Sequence, residues 1–306
     1  MPTFFSEICI RLKCACRIIA APLAAALLAS LLAGCSTVKL AYNNAPELAY
    51  WWLDGYLDFD ASQTPRVRGE LDRLLAWHRQ NELPQWIALL QKAQAMAPND
   101  STPAQACELG QAMRLRLLAL AEQAEPASAV LALTLTRAQL DHLQKKYAQV
   151  NDDYRADWLD KSREAQQDRR YEQWLNRSED FYGNLDERQK KALRQMVADS
   201  VFNPVLFDAE RKRRQTVALG SLRTLGALGA EPGVSASEAQ QVLHAYIRTV
   251  AEPPPGRWRD QQEALWQESC RNFAALHNMT TPAQREQAVR RLRSYETQLR
   301  ELAAAS

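Results

Sequence analysis

Residues 136–158, TRAQLDHLQKKYAQVNDDYRADW, decide the fold class of this chain. The stretch opens on Thr136 with Gln139 three residues later, which is a capping box: the two side chains satisfy the free backbone N–H groups of a helix start. Apolar side chains then recur every three or four residues, at Leu140, Leu143, Tyr147, Val150, Tyr154 and Trp158. This spacing matches the turn of an α-helix and predicts one continuous apolar face.

The same kind of opening recurs along the chain and predicts an all-α protein. Ala, Leu, Gln, Glu and Arg are good helix formers and dominate the composition, whereas strict two-residue alternation is absent over any useful length. We expect an irregular multi-helix bundle. The other predicted boxes are Thr102–Gln105, Asp186–Gln189, Ser235–Glu238 and Thr281–Gln284. The predicted helices lie near 45–59, 65–80, 83–97, 103–124, 137–182, 187–200, 204–226, 236–250, 257–277 and 282–303.

The longest predicted helix, near 137–182, has two interpretations. Trp174, Phe181 and Tyr182 continue its apolar face, but residues 160–170 are almost wholly polar. A single helix of this length would extend roughly 65 Å at about 1.5 Å per residue. Either its middle projects into solvent as part of one rod, or the helix breaks within 160–170.

The N-terminus carries a targeting signal. A basic stretch with Arg11, Lys13 and Arg17 precedes the apolar run 18–33, which ends in Ala33-Gly34-Cys35-Ser36. Its 16 residues are closer to the hydrophobic region of a signal peptide than to a membrane span of about 20 residues. The alternative is an uncleaved N-terminal anchor helix.

The Ala33-Gly34-Cys35 ending resembles the lipobox of bacterial lipoproteins. The resemblance implies cleavage before Cys35, a diacylglyceryl thioether on its thiol and an acylated new N-terminus. Several acyl chains anchor a protein stably to a membrane. Because Ser36 replaces the aspartate that retains such proteins in the inner membrane, the resemblance implies the outer membrane, with the body facing the periplasm.

Removal of this leader changes the charge of the chain. It holds three of the 38 Lys and Arg residues and one of the 36 Asp and Glu residues, so the remaining 272 residues carry 35 of each sign. A net charge of zero provides no global field that would attract nucleic acid. The prediction is a membrane partner through the lipid, with no nucleic-acid partner.

Two cysteines remain after Cys35 is lipidated. Cys107 and Cys270 would lie in an oxidising compartment, where a disulfide between them is one expectation. The other is that each is a small buried apolar side chain.

We divide the sequence into four regions. They are a signal peptide at 1–34, lipid-anchored N-terminal helices at 35–98, a central region with the long helix at 99–230, and C-terminal helices at 231–306.

Aromatic side chains crowd the first helix of the body. Trp51, Trp52, Tyr56 and Phe59 lie there within nine residues. Such a cluster is usually part of a hydrophobic core. The alternative is a docking face close to the membrane.

No pattern of catalytic, metal or cofactor residues emerges. The histidines at 78, 142, 244 and 277 form no i, i+4 pair, and no phosphate-binding loop or dinucleotide motif is present. Glu268-Ser269 resembles the Glu-Ser pair of lytic transglycosylases, but the other motifs of those enzymes are missing. The basic run 211–214 is either a solvated helix face or a contact for anionic headgroups. We therefore expect no enzyme, no cofactor and no metal.

Two further resemblances concern the body. Ala41-Tyr42-Asn43-Asn44-Ala45-Pro46, followed by Trp51-Trp52-Leu53-Asp54, resembles an uncharacterised family of proteobacterial outer-membrane lipoproteins, a domain of unknown function. Leu135-Thr136-Arg137-Ala138-Gln139 and Leu185-Asp186-Glu187-Arg188-Gln189 are similar to the Leu-Thr-x-x-Gln motif of Spy/CpxP-type periplasmic chaperones.

These observations favour a non-catalytic binding or scaffold module with an envelope protein as its partner. A chaperone-like holdase for periplasmic clients is the alternative, and a cell-wall hydrolase is a distant one.

Overall fold

A computed structural model describes residues 38–229 and 235–305 of this chain. Cys35, the predicted leader and its cleavage site lie outside the described residues. From residue 45 onward the described chain is helical, with no strand. The helices are α1 (Ala45–Leu57), α2 (Gln63–Trp77), α3 (Leu83–Met96), α4 (Pro103–Ala132), α5 (Arg137–Tyr154), α6 (Arg163–Tyr182), α7 (Glu187–Ala198), α8 (Pro204–Gly229), α9 (Ala236–Ala251), α10 (Arg257–Asn278) and α11 (Pro282–Ala304). The all-α prediction is confirmed.

The predicted capping boxes are all present. At the start of α5, Thr136 accepts a hydrogen bond from the backbone N–H of Gln139, and the glutamine side chain accepts one from the backbone of Thr136. The same reciprocal bonds open α4, α7, α9 and α11. These helices therefore begin where the sequence predicts, because a capping box fixes the first turn locally.

The prediction of a single long helix near 137–182 is wrong, and the alternative prediction, a break within 160–170, is confirmed. A π-helical turn, Arg155–Leu159, extends α5, and α6 begins only at Arg163. Ser162 is extended at ψ 158° and accepts a hydrogen bond from the backbone N–H of Ala165, so it caps the new helix. The cap at Ser162 starts a new helix, so the apolar faces of α5 and α6 belong to two separate helices.

The predicted end of a helix at Glu125-Pro126 is also wrong. Helix α4 runs through Pro126 and ends at Ala132. A proline inside a helix removes one backbone hydrogen bond, so packing must retain the helix against that local cost. Ala129 and Ala132, just beyond the proline, are buried against Leu225 and Ala239 of α8 and α9.

The capping glutamines also join helices that are distant in sequence. Gln189 of α7 donates to Gln284 of α11 at 2.8 Å, and Gln284 donates back at 3.0 Å. Gln139 of α5 and Gln63 of α2 form a second pair, with the Gln139 side-chain amide donating at 2.6 Å. Each glutamine thus caps its own helix and holds the start of another.

No capping box was predicted from the sequence at Gln63. Its backbone N–H donates to the Asp60 carboxylate at 2.9 Å, and its side chain accepts from the backbone of Asp60 at 3.1 Å. This is the hydrogen-bond pattern of the predicted box at Asp186, and it lies just ahead of α2, whose N-cap residue is Ser62.

The core consists of several small clusters where helices meet. The largest contains Leu185, Leu193, Leu276 and Ala288 and lies between α6, α7, α10 and α11. Residues 46–306 belong to one compact unit, and α3 packs on α11 while α4 packs on α9 and α10. The sequence regions 35–98, 99–230 and 231–306 are thus joined by packing between their helices.

Candidate functional site

Helix α1 is attached to the body by its inner face. Tyr50 is buried with Phe59 and Val67, and its hydroxyl lies 3.0 Å from the Thr64 hydroxyl. The Arg68 guanidinium lies 3.9 Å from the centre of the Tyr50 ring and forms an ion pair with Glu47. These contacts with α2 fix the rotation of α1 and so decide which side chains face outward.

The outward face of α1 is apolar and aromatic. Trp51 is 76% exposed, Trp52 59% and Leu48 56%. The three residues have i, i+3, i+4 spacing and therefore lie together on one side of the helix. We call Leu48, Trp51 and Trp52 the α1 face. Large apolar side chains exposed as a group mark an interaction surface more often than isolated ones do.

The four aromatic residues predicted as a docking face do not stay together. The Trp52 ring is 4.8 Å from the Tyr56 ring, and Tyr56 is half-buried, 6.3 Å from Tyr147 of α5. Phe59 is only 9% exposed, so it belongs to the core and its assignment to the docking face is wrong.

The reason lies in the end of α1. The predicted helix continued to residue 59, but α1 ends at Leu57 and Asp58 has a φ of +51°. This left-handed residue redirects the chain, and the backbone N–H of Phe59 then donates to the Asp54 carboxylate at 2.9 Å. Leu48, by contrast, was not predicted, although its spacing to Trp51 and Trp52 was readable in the sequence.

The charged side chains near α1 make contacts with neighbouring residues. Hydrogen bonds from the Ser62 side chain and from the backbone of Gln63 and Ser62 lower the pKa of Asp60, which caps α2. The Lys146 ammonium lies 5.8 Å from the centre of the Tyr56 ring. The Asp60 carboxylate is therefore engaged at the start of α2.

The two body cysteines are joined. Cys107 of α4 and Cys270 of α10 form a disulfide with a Cα–Cα distance of 5.3 Å. Cys270 is 5% exposed, so the bridge is buried on the α10 side. The bond links helices 163 residues apart in sequence and fixes the packing of α4 on α10.

Glu268, the acidic residue of the Glu-Ser pair, holds the connection between α7 and α8. It accepts from the Ser200 hydroxyl at 2.5 Å and from the backbone N–H of Val201 at 2.7 Å. The Arg170 guanidinium lies 3.9 Å from the Glu268 carboxylate, and burial lowers the pKa of Arg170. The neighbouring Ser269 hydroxyl donates to the carbonyl of Leu265 in its own helix.

His277 is a buried histidine between two fixed partners. The Tyr182 hydroxyl lies 2.9 Å from Nδ1, and Nε2 lies 2.8 Å from the carbonyl of Asn99. Because a carbonyl can only accept, Nε2 carries the proton and Nδ1 accepts from Tyr182. Burial lowers the pKa of His277 and raises the pKa of Tyr182 to about 12.

The other histidines do not join it. His244 lies 3.0 Å from the buried carboxylate of Glu125, and His142 lies 3.4 Å from the carbonyl of Gly55. Within residues 38–229 and 235–305, no group of three His, Cys, Asp or Glu side chains is arranged to hold a metal ion.

The basic run 211–214 is paired with acids on its own helix. Asp208 binds Arg211 at 2.5 Å and Lys212 at 2.7 Å, and Glu210 binds Arg213 at 2.7 Å and Arg214 at 2.6 Å. Both carboxylates are buried. The run is therefore partly neutralised within the fold and is neither a simple solvated face nor an array of free cations.

Comparison with known proteins places the chain in a family. The model of a family of unknown function (DUF6279) matches residues 55–231, from the end of α1 to just beyond α8. No curated protein and no solved structure matches the chain. None of the helices described in the structure is long and apolar enough to cross a membrane. Because the match covers more than half of the sequence, the chain belongs to this family of unknown function.

Proposed function

We propose that this protein is a lipoprotein of the outer membrane that faces the periplasm and acts as a non-catalytic binding or scaffold module. The observation that carries the proposal is the α1 face, where two tryptophans and a leucine are exposed on a helix fixed from behind by Tyr50 and Arg68. Tryptophan is strongly enriched among the residues that dominate binding energy at protein interfaces. The proposed partner is a protein of the cell envelope.

Photo-crosslinking tests the interface directly. A photoreactive amino acid at position 51 should give one or a few discrete adducts in intact cells. The same group at Val205, which is 64% exposed on α8, serves as a matched control for apolar exposure. Adducts at 51 should disappear in a Trp52→Ala background while the protein level stays constant. Identical adducts from positions 51 and 205 would contradict the assignment of the α1 face.

Lipid attachment has its own test. Cys35→Ala should abolish metabolic labelling with a palmitate analogue and block processing, because Cys35 is the proposed attachment site. A Cys107→Ala variant is the control and should be labelled like the wild type. If Cys35→Ala still fractionates with the outer membrane in processed form, the anchoring proposal fails.

A chaperone-like holdase is the second candidate. It is favoured by two further exposed apolar side chains one turn apart on α4, Met113 and Leu117, with exposed fractions of 42% and 60%. The purified protein should then suppress light scattering by a client that aggregates on dilution from denaturant, without reductant, so that the Cys107–Cys270 disulfide stays intact. No suppression at molar excess would eliminate the holdase and leave the scaffold proposal intact.

A further inference from the structure

A groove with a volume of about 270 Å³ lies between α2 and the C-terminal third of α4. Its floor is apolar and comes from α1, α2 and α4, and Arg66, Glu70, Arg73, Gln123 and Ser128 line it with polar groups. The apolar residues are Leu53, Val67, Leu71, Leu74, Ala124, Pro126, Ala127 and Leu131. Apart from Leu53, all of them lie within the part of the chain that matches the family.

The volume limits the occupant. Drug-sized ligands occupy pockets of about 300–1,000 Å³, whereas a dry cavity of about 150 Å³ accepts a benzene ring. The groove falls between these sizes and has no aromatic side chain in its lining. This combination suits a thin, flexible apolar chain better than a fused ring system.

The floor also argues against a peptide. Its side chains are hydrocarbons, and the polar side chains of the groove are confined to five residues of α2 and α4. A peptide lying there would bury backbone N–H and C=O groups without partners, which is costly. An alkyl chain has no such groups and needs only apolar contact.

Pro126 is a second, independent feature of this groove. It lines the groove from inside α4, at a position where a helix loses a backbone hydrogen bond to proline. The preceding residue, Glu125, is 4% exposed and lies 3.0 Å from His244 of α9. The helix is thus held from the α9 side, while on its groove side the proline ring adds apolar surface and no backbone N–H.

The charged residues indicate the sign of the ligand's head group. Arg73 and Glu70 neutralise each other through an ion pair of 2.8 Å. Arg66 is exposed and forms no ion pair with any residue that the structure describes. The other polar lining residues, Gln123 and Ser128, are neutral. The groove therefore combines an apolar floor with one available cation.

We propose that this groove binds the alkyl chain of a single fatty acid, with the carboxylate at Arg66. The floor made by Val67, Leu71, Leu74 and Ala127 contacts the chain. Arg66 selects the anionic head group over a neutral one. The site shares none of its lining residues with the α1 face.

A photoreactive fatty acid tests the proposal on the full chain in native membranes. A diazirine-bearing fatty acid should label peptides from α2 and from the C-terminal third of α4. Ala127→Trp fills the groove and should reduce this labelling to background. Ala104→Trp places the same bulk on an exposed position near the start of α4 and should label like the wild type. Circular dichroism of both purified variants shows whether they are folded.

Head-group selection is tested with a second probe. Arg66→Gln should weaken labelling by the fatty acid about two- to fivefold, as expected for an exposed ion pair, and leave labelling by the matching photoreactive alcohol unchanged. Labelling that is spread over the surface, or that persists in folded Ala127→Trp, would overturn the proposal. Equal effects of Arg66→Gln on both probes would overturn the assignment of the head group.

Discussion

Gln189 shows how much one side chain can hold. It has no exposed surface, caps α7, and donates to Gln284 and to the carbonyl of Met279. Gln189→Met keeps much of the volume but removes both bonds from the amide and leaves the backbone N–H of Asp186 without its capping acceptor. We expect the free energy of unfolding to fall by about 1–3 kcal/mol, the usual cost of such groups.

Urea unfolding followed by circular dichroism measures this change. Gln195→Met is the control on the same helix, because Gln195 hydrogen-bonds only to exposed Asp199 one turn away. Its midpoint should match that of the wild type. Equal destabilisation by both variants would show that the glutamine pair has no special role.

The free energy of unfolding should depend on pH through the protonation of His277. Burial lowers its pKa in the folded state below the ordinary value of 6.5, so the unfolded state binds the proton first as pH falls. Stability from the neutral ring is therefore complete above about pH 6.5 and decreases as pH falls below it. Protonation would also remove the lone pair that accepts from Tyr182.

Denaturant midpoints at pH 7.5 and 5.5 test this sign. The wild type should be less stable at the lower pH. His277→Gln retains a donor for the Asn99 carbonyl and should show a smaller difference between the two pH values. Part of the difference will remain, because burial also lowers the pKa of His78. A wild type that gains stability on acidification would contradict the prediction.

At the scale of elements, α4 carries a local cost at Pro126. Proline in a helix interior is less favourable than alanine by about 3 kcal/mol. Pro126→Ala should therefore raise the free energy of unfolding, by up to that amount, because it restores a backbone N–H. Pro103→Ala is the matched control at the first position of the same helix, where proline is well tolerated, and should not stabilise the protein.

Helix starts could be predicted from the sequence, whereas some helix ends could not. A capping box is complete within four residues, so Thr102, Thr136 and Asp186 reveal it without any tertiary information. The continuation of α4 through Pro126 depends on alanines packed against α8 and α9. That contact overrides the local preference of proline, and no short window of sequence contains it.

Only part of the candidate site could be predicted from the sequence. Trp51 and Trp52 are exposed, but the burial of Phe59 depends on the turn at Asp58, and the groove at Arg66 depends on how α2 meets α4. Both follow from the tertiary arrangement. Periodicity identifies the apolar face of a helix, but it does not show which apolar residues another element covers.

For the whole molecule, the Cys107–Cys270 disulfide should be a major source of stability. It closes a long loop, and removal of a native disulfide typically costs about 2–5 kcal/mol. Dithiothreitol should lower the urea midpoint of the wild type. A Cys107→Ser/Cys270→Ser double variant should already have the lower midpoint and should not respond to the reductant. Two free thiols in the native, unreduced protein would contradict the bond.

The paired capping glutamines have a consequence for the history of this family. A mutation of Gln189 alone removes one of the two acceptors of the Gln284 amide, and the reverse also holds, because each amide donates both to the other glutamine and to a backbone carbonyl. Among relatives, these two positions should therefore change together although 95 residues separate them. Gln63 and Gln139 should covary in the same way across 76 residues. An alignment of the family would show the correlation, and independent drift at these four positions would speak against it.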